Sequence, residues 1–139
     1  MNSRSICTFT LAVAGSLGTG ITAQRGGDDL ADRLAANTAL AARIQTLLPP
    51  GVSLQASAAG FRDEAEFIAA LHLSRNLNIP FNELKADLTG AKHHPLSTAL
   101  RDLRPELRAS GISRHVRRAQ QQAKGDLQLA GELAENSSR

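Results

Sequence analysis

The stretch DEAEFIAALHLSRNLNIPF, residues 63–81, decides the fold class. Asp63 is placed to cap a helix, Glu64 and Glu66 sit in its first turn where the helix dipole favours anions, and Arg75 sits in its last. At about 100° per residue, Phe67, Ile68 and Leu71 project to one side while Ala69, Ala70 and Leu73 project to the other. A helix that is apolar on two sides must be covered on two sides. Residues 64–76 are therefore the expected centre of an all-α fold, ended by Asn76-Leu77-Asn78-Ile79-Pro80.

Working outward, a helix from Phe81 to about Thr89 directs Phe81, Leu84 and Leu88 inward, and Gly90 closes it. A polar connection follows, Ala91-Lys92-His93-His94-Pro95. The helical pattern resumes at Leu96, Leu100 and Leu103 and is interrupted at Pro105; Ser113 is the candidate cap of a long final helix to about Ala134. Upstream, Gly26-Gly27 read as a flexible lead, and Asp28 or Asp29 as the cap of one helix carrying Leu30, Leu34, Ala41, Ile44 and Leu48. Pro49-Pro50-Gly51 stop it, and Ser53 caps a short Ala-rich turn from Leu54 to Ala59 that Gly60 ends. Strand-like alternation is missing and β-branched residues are sparse. The expectation is a small bundle of about five helices with a long C-terminal helix: a helical domain over 24–112, then the C-terminal helix and tail over 113–139.

The 139 residues are 42% hydrophobic, 21% charged and 3% aromatic, with one Cys, no Trp and no Tyr. Such a chain is too apolar for disorder and too small for more than one domain. The opening MNSRSICTFTLAVAGSLGTGITAQ has Arg4, an apolar run from Ile6 to about Leu17, and then small residues up to Ile21-Thr22-Ala23, which is the layout of a signal peptide. The run falls short of the about 20 residues that a bilayer core requires. A cut after Ala23 fits best, because a cut after Ala14 would leave too little apolar leader. Residues 1–23 are thus the expected signal peptide, and a secreted or periplasmic location follows. Cys7 lies within the leader without the long apolar stretch a lipid-modified Cys needs, so the exported chain folds without disulfides.

The block at residues 47–90 carries Gly60-Phe61, then Phe67, Ala70, His72, Ser74, Asn76 and Leu77 at fixed spacing, then Ile79-Pro80-Phe81 with Leu84-Lys85. It resembles a group of small secreted bacterial proteins of uncharacterised function. The resemblance covers about a third of the chain and implies secretion and one compact unit; it brings no activity with it.

No residue cluster defines a reaction. His72, His93, His94 and His115 contain no i, i+4 pair and have no thiolate partner, so no metal is implied. His72, at the border of an apolar face, reads as a core-edge histidine bonded to backbone. Ser74, His72 and Asp63 are the nearest approach to a hydrolytic set, yet His72 and Ser74 are two apart on a helix and face different ways. There is no Gly-x-Ser-x-Gly elbow and no phosphate-binding glycine loop, and no cofactor is expected.

Charge is the one uneven property. From Lys92 to Arg118 seven Lys or Arg face only Asp102 and Glu106, in a chain whose overall net charge is +3. On the final helix, Val116, Ala119, Ala123, Leu127, Ala130 and Ala134 share a narrow wedge that would let another helix approach closely, as in a helical hairpin, with a partner helix, or in weak self-association. Arg114, Arg117, Arg118 and Lys124 gather on the reverse side. The expected function is an exported, non-catalytic binding or structural module, with Arg114, Arg117 and Arg118 as the contact to an anionic surface. The alternative is a secreted enzyme, which a polar pocket gathering His72 with Ser or carboxylate groups would favour.

Overall fold

The computed structural model describes residues 25–139, with side-chain surroundings from Leu30 onward. The expected signal peptide, the cut after Ala23 and Cys7 lie outside the described residues. Among the described residues there are seven helices and no strand: α1 (Arg25–Ala36), α2 (Thr38–Leu47), α3 (Leu54–Ala58), α4 (Glu64–Leu77), α5 (Phe81–Thr89), α6 (Leu96–Leu103) and α7 (Ala109–Ser137). The chain is all-α with a long C-terminal helix. No helix among these is long and apolar enough to cross a membrane.

At the centre stands α4, in which every residue from Phe67 to Ser74 is buried. Its most extensive packing is against α7, and it also meets α2 and α5. Asp63 caps it by accepting from the Glu66 N–H at 3.1 Å. At the other end Asn78 adopts the left-handed conformation, φ 52° and ψ 46°, while the Ile79 and Asn78 N–H groups return to the Ser74 and Arg75 carbonyls. That is a Schellman closure, with Asn in the place more often taken by Gly. Ser74 Oγ adds a bond of 2.6 Å to the Ile79 carbonyl. Phe61, Phe67 and Phe81 form one aromatic cluster with centroids 5.2 to 6.3 Å apart, anchoring α4 and α5 as their sequence positions imply.

Three boundaries differ from the sequence reading. The single helix expected over residues 30–48 is two, because Asn37 leaves helical geometry (φ −93°, ψ 94°) and its side chain accepts from the Leu40 N–H at 3.1 Å. A short amide side chain that competes for backbone donors turns a helix interior into a new N-cap. Upstream, α1 already includes Gly26-Gly27 and Asp28-Asp29, so neither aspartate is its cap. Finally, α7 starts at Ala109, four residues before Ser113. Ser113 lies inside the helix and its hydroxyl donates to the Ala109 carbonyl at 3.0 Å, which satisfies a carbonyl in place of capping amides.

Gly60 is required by the α3 to α4 connection. Its φ is +89°, and a Cβ there would lie 2.9 Å from Thr89 Cβ, the last residue of α5. Close to this contact, Lys85 Nζ donates to the Ala56 carbonyl in α3, and burial lowers the Lys85 pKa below its ordinary value.

Candidate functional site

The two faces of α7 do different things. Ile112, Ala119, Ala123, Asp126 and Ala130 are buried, with Val116 and Leu127 packed beside them. The narrow Ala wedge is therefore covered within the same chain, chiefly by α4 and also by α2 and α6, because small side chains let helix axes come close. It is closed to a partner helix or a second copy. The wedge also ends earlier than the spacing suggested: residues 131–139, Ala134 among them, are all exposed.

Within this seam lies a group that the sequence reading missed. Asp126 is 5% exposed, and its Oδ2 stands 2.7 Å from His72 Nε2 on α4. Its Oδ1 stands 3.0 Å from Arg43 Nε on α2. The carboxylate accepts from both, so the imidazole donates from Nε2. His72 is thus bonded to a carboxylate and not, as expected, to backbone. One aspartate joins the three helices α2, α4 and α7. A buried carboxylate on a seam of alanines is tolerable only with such partners, since an unpaired charge there would carry a desolvation penalty of several kcal/mol, about the size of a small domain's whole stability. The spacing did hold a signal: Asp126 is seven residues after Ala119 and four before Ala130, which puts it on the inward face.

The candidate residues named from sequence occupy the opposite face. Arg114, Arg117 and Arg118 are all exposed and share a shallow surface with Ser110, Ser113 and Gln121. Every one of these residues comes from α7, so the surface is the outer side of a single helix and not a cleft between elements. Among the described residues none of the three guanidinium groups has a carboxylate within 4.0 Å. Arg104, counted with them in the basic run, is used differently: its Nη2 donates to the Leu77 carbonyl at the end of α4 at 2.6 Å, and its Nη1 meets Glu106 at 3.3 Å. Within the basic stretch Arg104 is thus a structural arginine, set apart from the open group of three on α7.

The other titratable groups are dispersed. His93 lies 3.4 Å from Arg62 Nη2 and 3.3 Å from the Leu88 carbonyl, whereas His94 faces Asp102 at 3.7 Å. No group of three or more His, Cys, Asp or Glu side chains among the described residues is arranged to hold a metal ion. Asp63, His72 and Ser74 likewise share no hydrogen bond: Asp63 and Ser74 make local bonds to backbone, and His72 is bonded to Asp126 on α7. Glu66 lies on the rim of a groove with Asp63, Pro95, Leu96 and Gln120. Burial, and after it the neighbouring Asp63, raise its carboxyl pKa, while His93 and Arg62 oppose the rise.

The residues behind the resemblance also find physical roles. Gly60 makes the tight approach to Thr89, Phe61, Phe67 and Phe81 form the aromatic cluster, and His72 binds Asp126. Ser74 closes α4, Asn76 Nδ2 donates to Gln122 Oε1 on α7 at 2.7 Å, and Lys85 holds α3. They are framework residues. Comparison with protein families, with curated proteins and with solved structures returned no match.

Proposed function

We propose that the protein is an exported, non-catalytic helical module that contacts an anionic surface through Arg114, Arg117 and Arg118 of α7. The observation that carries this reading is three exposed guanidinium groups on about one and a half turns of a helix whose reverse face is packed against α4. The packed helix fixes the spacing of the three side chains, and guanidinium groups suit the paired oxygens of sulfate, phosphate and carboxylate. For the rival, a secreted enzyme with an unrecognised site, the nearest group is the His72–Asp126 pair, whose side chains are about nine-tenths buried and bonded to each other and to Arg43.

Retention on immobilised heparin and on vesicles of anionic lipid tests the contact. The wild-type protein is expected to elute at higher salt than an Arg114→Gln/Arg117→Gln/Arg118→Gln variant, and equal elution of the two overturns the reading. Export is tested by intact mass of protein recovered from the periplasm or medium, for which Gln24 is the expected first residue. A chain that stays in the cytosol at full length would remove the exported half of the proposal.

A further inference from the structure

The outward face of α7 carries a pattern that anion binding leaves unused. At spacings of four and three residues from Arg114 run Arg118, Gln121, Gly125, Gln128, Glu132 and Glu135, a repeat of seven that keeps one stripe on one side of a helix. Gly125 is half-buried and the other six are exposed. Turned about Gly125, Arg118 falls opposite Glu132, while Arg114 and Gln121 each fall one residue, about 1.5 Å along the axis, from being opposite Glu135 and Gln128. Gly125 is its midpoint.

The charges are also the wrong way round for an isolated helix. With Arg108 at the N-cap and no acidic residue in the first turn, and with Glu132 and Glu135 toward the end and no basic residue in the last turn, α7 opposes its own dipole at both ends. None of Arg114, Arg118, Glu132 and Glu135 has an opposite charge of its own chain within 4.0 Å among the described residues. A second α7 running antiparallel alongside brings the acidic end of each helix beside the arginines of the other.

We infer that α7 pairs with the α7 of a second copy, antiparallel and related by a two-fold axis at Gly125. The surface is then self-complementary, as a two-fold contact requires. Arg118 of each copy faces Glu132 of the other, and Arg114 lies one residue off the register of Glu135, a shift its long side chain can span, over a contact of about 32 Å along the helix at 1.5 Å per residue. The absent side chain at Gly125 allows the axes to come close at the crossing, because a Cβ built there meets nothing of its own chain within 4 Å. Leu129, 53% exposed at the edge of the stripe, lies beside the second copy's Gln121 and supplies apolar contact. The stripe has no apolar core, so the association is weak and salt-sensitive. Two of its arginines are those proposed above to meet an anionic surface. The inference does not depend on that reading: sedimentation without a polyanion reports self-association alone, and heparin retention reports the other.

Sedimentation velocity on the full protein tests the pairing. A mass above the monomer's at about 20 mM salt is expected to return to the monomer's at about 300 mM, as the screening length falls from about 20 Å to about 6 Å. Arg118→Glu removes two Arg–Glu contacts per pair and opposes like charges, so it is expected to weaken association about tenfold or more. The double reversal Arg118→Glu/Glu132→Arg restores the complementarity and is expected to return association to within about threefold of wild type. In a Cys7→Ser background, Gly125→Cys is expected to form a disulfide-linked dimer on mild oxidation. Gly131→Cys, whose counterpart would lie about 18 Å away along the helix, is not. A wild-type monomer at low salt, a double reversal that fails to restore association, or equal crosslinking of the two cysteine variants overturns the inference.

Discussion

Asp126 shows how much one side chain can hold. Its two oxygens are shared between His72 and Arg43, and removing the carboxylate leaves a buried imidazole N–H without its acceptor. Asp126→Ala is expected to lower unfolding stability by about 1 to 3 kcal/mol in urea titrations. Asp126→Asn keeps the shape and an acceptor, so its loss should be smaller. The double variant His72→Leu/Asp126→Leu, which removes donor and acceptor together, is expected to recover part of the loss. A loss from Asp126→Ala within error of zero would mean that the chain from α2 through α7 to α4 adds nothing to stability. Glu66 makes a second test at this scale. Its folded pKa is raised above the ordinary 4.5 by burial and by Asp63, so the folded state holds that proton more tightly than the unfolded state does. The stabilisation this brings is complete below 4.5 and is lost as pH rises through the folded value. Glu66→Gln is therefore expected to melt higher than wild type at pH 7, with the difference closing below about pH 4. Melting temperatures across that range decide it, and a variant that melts lower than wild type at pH 7 contradicts the sign.

At the scale of elements, the joints are as informative as the helices. Residues 63–81 could be read directly because capping, dipole and two-sided apolarity agree over one short stretch, and α4 forms where they place it. Asn37 could not be read the same way. The apolar spacing continues across it, so only the geometry of its side chain against Leu40 turns one helix into two. Ser113 misled for the reason that makes serine a good cap: a hydroxyl bonds to backbone either as an N-cap or, inside a helix, to the carbonyl four residues earlier. At the α3 to α4 connection, Gly60 combines a φ of +89° with the approach to Thr89. Gly60→Ala meets both constraints and is expected to lose about 1 to 3 kcal/mol of stability in denaturant unfolding. Gly51 has a φ of +81° but open space around it, so Gly51→Ala bears only the conformational strain and should lose less. Equal losses at the two positions would show that the Thr89 contact is unimportant.

For the whole molecule, α7 connects core to surface. Up to Ala130 its inner side is built into the bundle, while residues 131–139 are exposed. A chain ending at Ala130 is expected to keep the fold, with a melting temperature within a few degrees of wild type, since little packed surface is lost. The same truncation removes Glu132 and Glu135, so it should abolish self-association and leave heparin retention in place. Loss of the fold on truncation would instead assign residues 131–139 a structural role.

The order of residues along the chain is enough to set the fold class, the central helix and the inward faces of α4 and α5, because each follows from periodicity and capping within about fifteen residues, where the neighbours that matter are neighbours in the chain. It also determined that Arg114, Arg117 and Arg118 share the outer side of the last helix. What the other side of that helix touches depends on how the helices pack. The Ala seam could have served a second copy or the same chain, and it is the same chain, chiefly α4, that covers it. The bond between His72 and Asp126 spans 54 positions and that between Arg43 and Asp126 spans 83. Spacing along α7 places Asp126 on the inward side, but which side chains meet it there leaves no periodic trace, since its partners lie on other helices that only folding brings against it.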